Sequence, residues 1–270
     1  MLITGSTFDV DSAKALATIL TMETEATTTV GIKLNQNLMR CINKFQTYLL
    51  LIVFAITISN GCKKSDNVTA LTTVTDYDGN VYHTIVIGTQ TWTVENLKVT
   101  HYRNGDSIAN VTGNSVWKSL TTGAYCWYNN NIDNKTPYGA LYNWFTVNDS
   151  RNIAPIGWHV PTDAEWTILT TYLGGEIVAG GKMKETDTTH WCNPNSGATN
   201  ESGFTALPSG LRASYDGRFG YVCIFSGWWS STADGATSAW VRGLDYSHAR
   251  CDRSNYGYTQ FGFAVRLVKD

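Results

Sequence analysis

The sequence predicts an α+β fold, and three observations point to it. One strong helix signal lies near residue 165, short strand-like runs separated by glycine turns follow residue 200, and the two kinds of signal do not alternate. Of the 270 residues 43% are hydrophobic, which excludes a largely disordered chain. The net charge of −2 excludes the general basic footprint of a nucleic-acid-binding protein, so we expect no nucleic-acid partner.

The N-terminal part of the chain has the features of an export signal. Residues 49–58 read LLLIVFAITI, which is too short to span a membrane but has the length of a signal-peptide core. Basic residues precede this run and Gly61-Cys62 follows it, as in a bacterial lipobox. We therefore expect 39–61 to be a lipoprotein signal peptide, Cys62 to be the lipidated first residue, and 62–73 to be a tether. The alternative is a short buried helix that ends at a free cysteine.

Residues 1–38 do not fit a signal peptide, which begins at the N-terminus. A start at Met39 gives a signal of ordinary length. We expect 1–38 to be sequence upstream of the true start that was wrongly included or, alternatively, a genuine but weakly ordered N-terminal extension. The exported protein is then expected to be attached by its lipid to the bacterial outer membrane or cell surface.

Residues 74–87 predict a β-hairpin, because polarity alternates on both sides of the turn signal Asp78-Gly79. The segment Asp76–Asn80 also resembles the start of a calcium loop. Ile87 at the twelfth position has no carboxylate to close such a loop, so the hairpin is the preferred interpretation.

The helix is predicted from Thr162, where Thr162 and Glu165 form a capping box. An apolar stripe follows at Trp166, Leu169 and Leu173, and Gly174-Gly175 is expected to end the helix. The other segments are predicted from composition. They are strand or loop at 91–97, loop at 104–137, a short helix at 138–147, and strands at 203–208, 219–225, 227–231, 239–244 and 262–268.

Four cysteines follow Cys62, namely Cys126, Cys192, Cys223 and Cys251. An oxidising compartment permits disulfides, and three pairings are open. No CxxC spacing occurs among them, and the histidines form no HxxxH or HExxH motif, so the sequence predicts no metal site and no cofactor.

Many motifs resemble, in order, the Fibrobacter succinogenes major paralogous domain, a family of bacterial surface lipoprotein domains. The resemblance covers 74–270 and rests on TDYDGNVYHTIVIGTQTW ending at Trp92, ENL from Glu95, YCWY from Tyr125, YGALYNW from Tyr138, GWHVPT from Gly157, the segment 200–208, WWSST from Trp228 and GFAVR from Gly262. Pro161–Trp166 and Gly262–Arg266 look more distantly like the formylglycine-generating sulfatase-modifying enzymes. The resemblance implies a C-type-lectin-like fold with short twisted strands, one or two helices and long loops.

Two departures from these families affect the expected chemistry. Many members of the paralogous family carry two cysteines at positions that correspond here to Ala154, or a neighbour, and Leu267. Both are missing together in this chain, as expected if they form a disulfide in those members. The sulfatase-modifying enzymes hold copper with two cysteines a few residues apart, whereas this chain has Cys251 alone. We therefore expect no catalytic residues, although His248 and Cys251 could in principle pair as base and nucleophile. Calcium-dependent sugar binding is likewise disfavoured, because Asn193-Pro194-Asn195 lacks a carboxylate.

Residues 245–258 are the candidate ligand-binding segment, predicted as a loop between two framework strands. Their Tyr, Ser, His, Arg, Asp and Asn side chains are typical of adaptable binding surfaces. C-type-lectin-like proteins that are diversified by retroelements vary the same segment, so the resemblance implies a diversified surface; an ordinary drifting loop is the alternative. The expected contacts are Asp245, Tyr246, Ser247, His248, Arg250, Asp252, Arg253, Ser254, Asn255, Tyr256 and Tyr258, with Trp228, Trp229 and Trp240.

The expected partner is a protein or polysaccharide at the cell surface. The competing possibilities are an enzyme of the sulfatase-modifying type, which a copper-dependent rise in melting temperature would favour, and a purely structural surface module. Most of the ten tryptophans are also candidates for the core.

Overall fold

The computed structural model describes residues 72–270, which form an α+β domain. The predicted extension 1–38, the signal peptide 39–61, the lipidated Cys62 and nearly all of the tether lie outside the described residues. No helix within 72–270 is both long enough and apolar enough to cross a membrane.

The described part of the chain contains four small sheets, and the first of them joins the two ends of the domain. In spatial order it consists of β1 Thr73–Thr75, β2 Val81–Ile87, β3 Gln90–Thr93, β13 Val268–Lys269 and β7 Trp158–His159. The C-terminal strand β13 therefore lies between β3 and β7, antiparallel to both.

The second sheet carries the candidate segment, and in spatial order it consists of β10 Phe225–Ala233, β11 Ser238–Asp245 and β12 Cys251–Tyr258. The third is β4 Ala109–Asn110, β5 Ala124–Trp127 and β6 Ala140–Tyr142, and the fourth is β8 Leu211–Arg212 with β9 Phe219–Gly220. The helices are α1 Asn114–Trp117, α2 Lys135–Tyr138, α3 Trp144–Val147, α4 Asp163–Tyr172 and α5 Glu176–Met183, with 3-10 turns at Tyr128–Asn130 and Ile132–Asn134.

The predicted hairpin is confirmed, since β1 pairs antiparallel with β2. The carboxylate of Asp76 closes the turn: its Oδ1 accepts hydrogen bonds of 2.9 Å from the backbone N–H groups of Asp78 and Asn80. Its Oδ2 accepts a 2.5 Å bond from the hydroxyl of Tyr82. Both carboxylate oxygens of Asp76 thus accept hydrogen bonds within the hairpin, which agrees with the hairpin interpretation rather than with a calcium loop.

The predicted helix is confirmed as α4. Thr162 Oγ1 accepts from the backbone N–H of Glu165, and the Glu165 carboxylate accepts from the backbone N–H of Thr162 at 2.7 Å. Gly174 and Gly175 end it with φ angles of +100° and +96°, which L side chains rarely adopt. The next helix, α5, has no counterpart among the predicted elements.

Five predicted elements are wrong or incomplete. Residues 104–137, predicted as loop, contain β4, α1, β5 and most of α2. Residues 262–268, predicted as a strand, make isolated bridges at Gly262, Phe263 and Ala264 and enter a strand only at Val268. Residues 138–147 form strand β6 and the single-turn α3 rather than one helix, because Tyr142 pairs with Tyr125 and the side chain of Asn143 caps α3. Residues 219–225 are a strand at Phe219–Gly220 and again at Phe225, where β10 begins, but not between them, since Tyr221 and Cys223 have positive φ angles. Residues 203–208 make only an isolated bridge, from Ala206 to Lys184.

A buried guanidinium joins the C-terminal motif to the rest of the domain. Arg266 is 1% exposed and donates to Asn96 Oδ1 at 2.6 Å and to the carbonyl of Thr93 at 2.8 Å. It also donates to the carbonyls of Phe204 and Thr205, at 3.0 and 3.1 Å. One charged side chain thus satisfies acceptors from two distant parts of the chain, which fixes their positions relative to the last strand.

Cys192 and Cys223 form a disulfide, which settles the pairing that the sequence left open. Cys126 and Cys251 are buried free thiols. The positions Ala154 and Leu267, where many family members are expected to have cysteines, both lie in one buried hydrophobic cluster. Apolar packing therefore occupies the place of that link.

Candidate ligand-binding surface

The candidate segment is a turn followed by a strand. β11 ends at Asp245, and residues 251–258 form β12, which pairs antiparallel with β11. The prediction of one long loop over 245–258 is therefore wrong for its second half. Asp, Ser and Asn have weak strand propensity, so the sequence does not predict a strand here. β12 forms because its residues pair with β11, as Cys251 does with Leu244.

All eleven predicted contact residues of the segment are partly or fully exposed. Tyr256 has 76% and Tyr258 52% of its surface accessible, and both are in β12. Cys251 and Gly257 in the same strand are buried. Buried and exposed positions do not alternate regularly along β12, because its register shifts opposite Ala239 and Val241, and its polar and aromatic side chains remain partly or fully exposed.

The turn before β12 is held mainly through its backbone. The ammonium group of Lys184, a fully buried residue, donates to the carbonyls of Asp245 and His248 at 2.9 Å each and to that of Ser196 at 3.0 Å. The backbone N–H of Ser196 donates to the carbonyl of Tyr246 at 2.7 Å. Burial lowers the pKa of Lys184 to about 8. Nothing in the sequence singles out Lys184 as the support of this turn.

Helix α5 approaches the turn closely because it contains Gly180 and Gly181. A Cβ at Gly180 would overlap the carbonyl oxygen of Arg250. The backbone N–H of Gly181 donates to the carbonyl of Ala249 at 2.9 Å, and a Cβ at Gly181 would crowd Ala249. The two glycines therefore fix the distance between the helix and the turn.

Beside β12, an aromatic ring and an ion pair are stacked at the surface. The Cζ atom of Arg253 lies 3.4 Å from the ring centroid of the half-buried Trp240. Arg253 also donates to Asp163 Oδ2 at 2.8 Å, and the buried Arg242 donates to Asp163 Oδ1 at 2.6 Å. Burial acts to raise the pKa of Asp163, but the two guanidinium groups outweigh it, so the pKa lies below its usual value.

Trp228 and Trp229 do not reach this surface, so their prediction as ligand contacts is wrong. Both are 0% exposed. The indole N–H of Trp228 donates to Asn96 Oδ1 at 2.8 Å, and that of Trp229 donates to the carbonyl of Tyr142 at 2.7 Å. They are core residues because both faces of β10 are packed: Trp228 lies in the hydrophobic cluster of Trp166 and Phe204, and Trp229 lies in that of Phe263.

The geometry offers no support for a reactive Cys251. Its side chain is fully buried, and burial raises its pKa to about 12. His248 Nε2 lies 3.6 Å from Asp252 Oδ2, and His248 Nδ1 accepts from the backbone N–H of Arg250 at 3.3 Å. A thiolate nucleophile needs the opposite environment, exposed and electropositive.

Residues 72–270 contain no group of three or more His, Cys, Asp or Glu side chains that would hold a metal ion. In the Asn193-Pro194-Asn195 segment, the side chain of Asn195 donates to the carbonyls of Glu185 and Asp187 at 2.7 and 2.8 Å. Asn195 therefore has a structural role in its own loop.

These features define an α+β domain whose last hairpin presents a polar and aromatic surface. The chain belongs to the Fibrobacter succinogenes major domain family, whose model matches residues 85–269. The match confirms the family to which the sequence motifs pointed. No curated protein and no solved structure matches the chain.

Proposed function

We propose that this protein is a surface lipoprotein whose domain, of C-type-lectin-like type, binds a protein or polysaccharide ligand through residues 245–258 and Trp240. The lipid anchor would be Cys62, and the binding surface would be formed by the exposed side chains of β12 and of the preceding turn.

The observation that carries this proposal is that, within 245–258, backbone groups hold the turn in place while a different set of groups, the exposed side chains, is free to contact a ligand. Lys184 and Gly181 hold the turn by its carbonyl groups, whereas Arg250, Asn255 and Tyr256 have exposed side chains. A change at these exposed positions leaves the supporting hydrogen bonds in place. Such a surface can vary in sequence at little cost to folding, which is the property that a diversified binding segment requires.

Binding can be tested on glycan and protein arrays without added metal. We expect the wild-type protein to bind a defined ligand and the double variant Tyr256→Ala/Tyr258→Ala to lose most of that signal. Tyr215→Ala is the matched control, because Tyr215 is 73% exposed and lies outside the segment. Array binding that survives the double variant would contradict the proposed surface.

Diversification can be tested by sequencing related gene copies in the same genome. We expect substitutions to concentrate at the exposed positions of 245–258 and to spare Cys251 and Gly257. Substitutions spread evenly over 74–270 would show an ordinary drifting loop instead.

A further inference from the structure

A second surface feature lies outside the 245–258 segment. It is a cleft of about 340 Å³, the Tyr172 cleft, which is bounded by β2, the end of α4, α5 and the turn at 200–203. Ile87 and Leu173 are buried and form its floor, and Val86 and Tyr172 form an exposed apolar wall. This volume is at the lower end of the range for small-molecule sites.

The ring of Tyr172 in the cleft wall is held on one side by the backbone at Gly88. The ring of Tyr172 lies against Gly88, where a Cβ would be 2.8 Å from the ring. Gly88 has a φ of +63°, so both its conformation and its neighbour favour glycine. The Tyr172 ring is supported on that side, yet 65% of the residue remains exposed.

The polar end of the cleft is an ion pair. Lys182 Nζ lies 2.7 Å from Glu201 Oε1, and both side chains are partly exposed. The turn that carries Glu201 is fixed to α5, because Ser202 donates to the carbonyl of Lys182 through its hydroxyl at 2.8 Å and its backbone N–H at 3.1 Å. The pair supplies donors and acceptors with no net charge.

We propose that the Tyr172 cleft binds a neutral pyranose ring of a glycan. A pyranose with equatorial hydroxyls has an apolar C–H face, which fits the exposed ring of Tyr172, and a hydroxyl edge, which fits Lys182 and Glu201. The ammonium group donates to hydroxyl oxygens, and the carboxylate accepts hydroxyl hydrogens. Because the pair is neutral overall, an anionic sugar gains no net attraction.

The test is calorimetric titration of the full-length protein with cellotetraose, whose glucose units have equatorial hydroxyls. We expect Tyr172→Ala to weaken binding by about tenfold, the effect of losing one aromatic contact. Tyr215→Ala should leave the affinity unchanged, because it removes an equally exposed tyrosine elsewhere. Glu201→Gln should weaken binding several-fold.

Four results would overturn the inference. The first three are no binding of cellotetraose by the wild-type protein, binding that Tyr172→Ala does not change, and tighter binding of tetragalacturonate than of cellotetraose. Loss of cellotetraose binding in Tyr256→Ala/Tyr258→Ala but not in Tyr172→Ala would also overturn it. That last result would instead support the 245–258 surface, so the two proposals fail separately.

Discussion

Asp163 accepts a 2.6 Å hydrogen bond from the guanidinium of Arg242, a residue with no exposed surface. Replacing the carboxylate leaves a buried cation without its partner, so we expect Asp163→Asn to lower the free energy of unfolding by about 3 kcal/mol. Arg253→Ala removes the exposed partner of the same carboxylate and should cost less than about 1 kcal/mol. Urea unfolding measures both, and equal losses would contradict this difference.

Lys184→Met should loosen the turn before β12, because three carbonyl oxygens lose their donor. We expect a loss of roughly 3 kcal/mol in unfolding free energy. Hydrogen exchange should accelerate at the backbone N–H groups of Gly181 and Ser196, which donate to the turn. Lys118→Met, at an exposed site, is the control. Unchanged exchange at both amides would show that Lys184 does not support the turn.

His159 makes stability depend on pH. Its Nδ1 lies 2.6 Å from Asp270 Oδ1 and its Nε2 2.8 Å from Glu165 Oε1. Burial acts to lower the pKa of His159, but the two carboxylates outweigh it and raise the pKa. The resulting stability is fully present below the unfolded pKa of about 6.5 and is lost as pH rises through the folded pKa. We expect the melting temperature to fall across that window, and to fall less in His159→Gln. An equal fall in the variant would assign the pH dependence to another group.

Reducing the disulfide should destabilise the domain. Cys192 and Cys223 are 31 positions apart, and removing a cross-link over a loop of that size costs about 3.7 kcal/mol in the chain-entropy model. In urea unfolding, the double variant Cys192→Ser/Cys223→Ser without dithiothreitol should lose as much free energy of unfolding as the wild-type protein loses when dithiothreitol is added. If dithiothreitol destabilises the double variant as much as the wild type, its effect arises elsewhere.

The lipid anchor can be tested directly. Cys62→Ser should abolish incorporation of labelled palmitate and release the protein from the membrane fraction. Cys41→Ser should leave both unchanged, because Cys41 precedes the apolar run. Labelling that persists in Cys62→Ser would contradict the lipobox interpretation.

The elements that can be predicted from the sequence are those whose signals are local. The hairpin around Asp78-Gly79 and the capping box at Thr162 depend on neighbouring residues, and both are confirmed. Helix α5 is not predicted from the sequence because Gly180 and Gly181 lower its helix propensity. The glycines are needed because the backbone of a turn about 70 residues further along the chain packs directly against them.

From the sequence, the residue types of the candidate segment 245–258 can be recognised as those of a binding surface, but its conformation cannot be predicted. β12 exists because β11 pairs with it, and that pairing is not visible in a stretch rich in Asp, Ser and Asn. Trp228 and Trp229 are wrongly predicted as contacts because adjacent tryptophans occur both in cores and on binding surfaces, and the sequence does not distinguish the two environments. Lys184 and Asp163 give no signal, since their roles depend on contacts distant in sequence.

The backbone anchoring of the turn also makes this domain suitable for protein engineering. Randomised codons at His248, Arg250, Arg253, Asn255 and Tyr256 would yield a combinatorial library in which most members share one framework. Selection from such a library would act on affinity alone for most members, because few of them would be lost to misfolding.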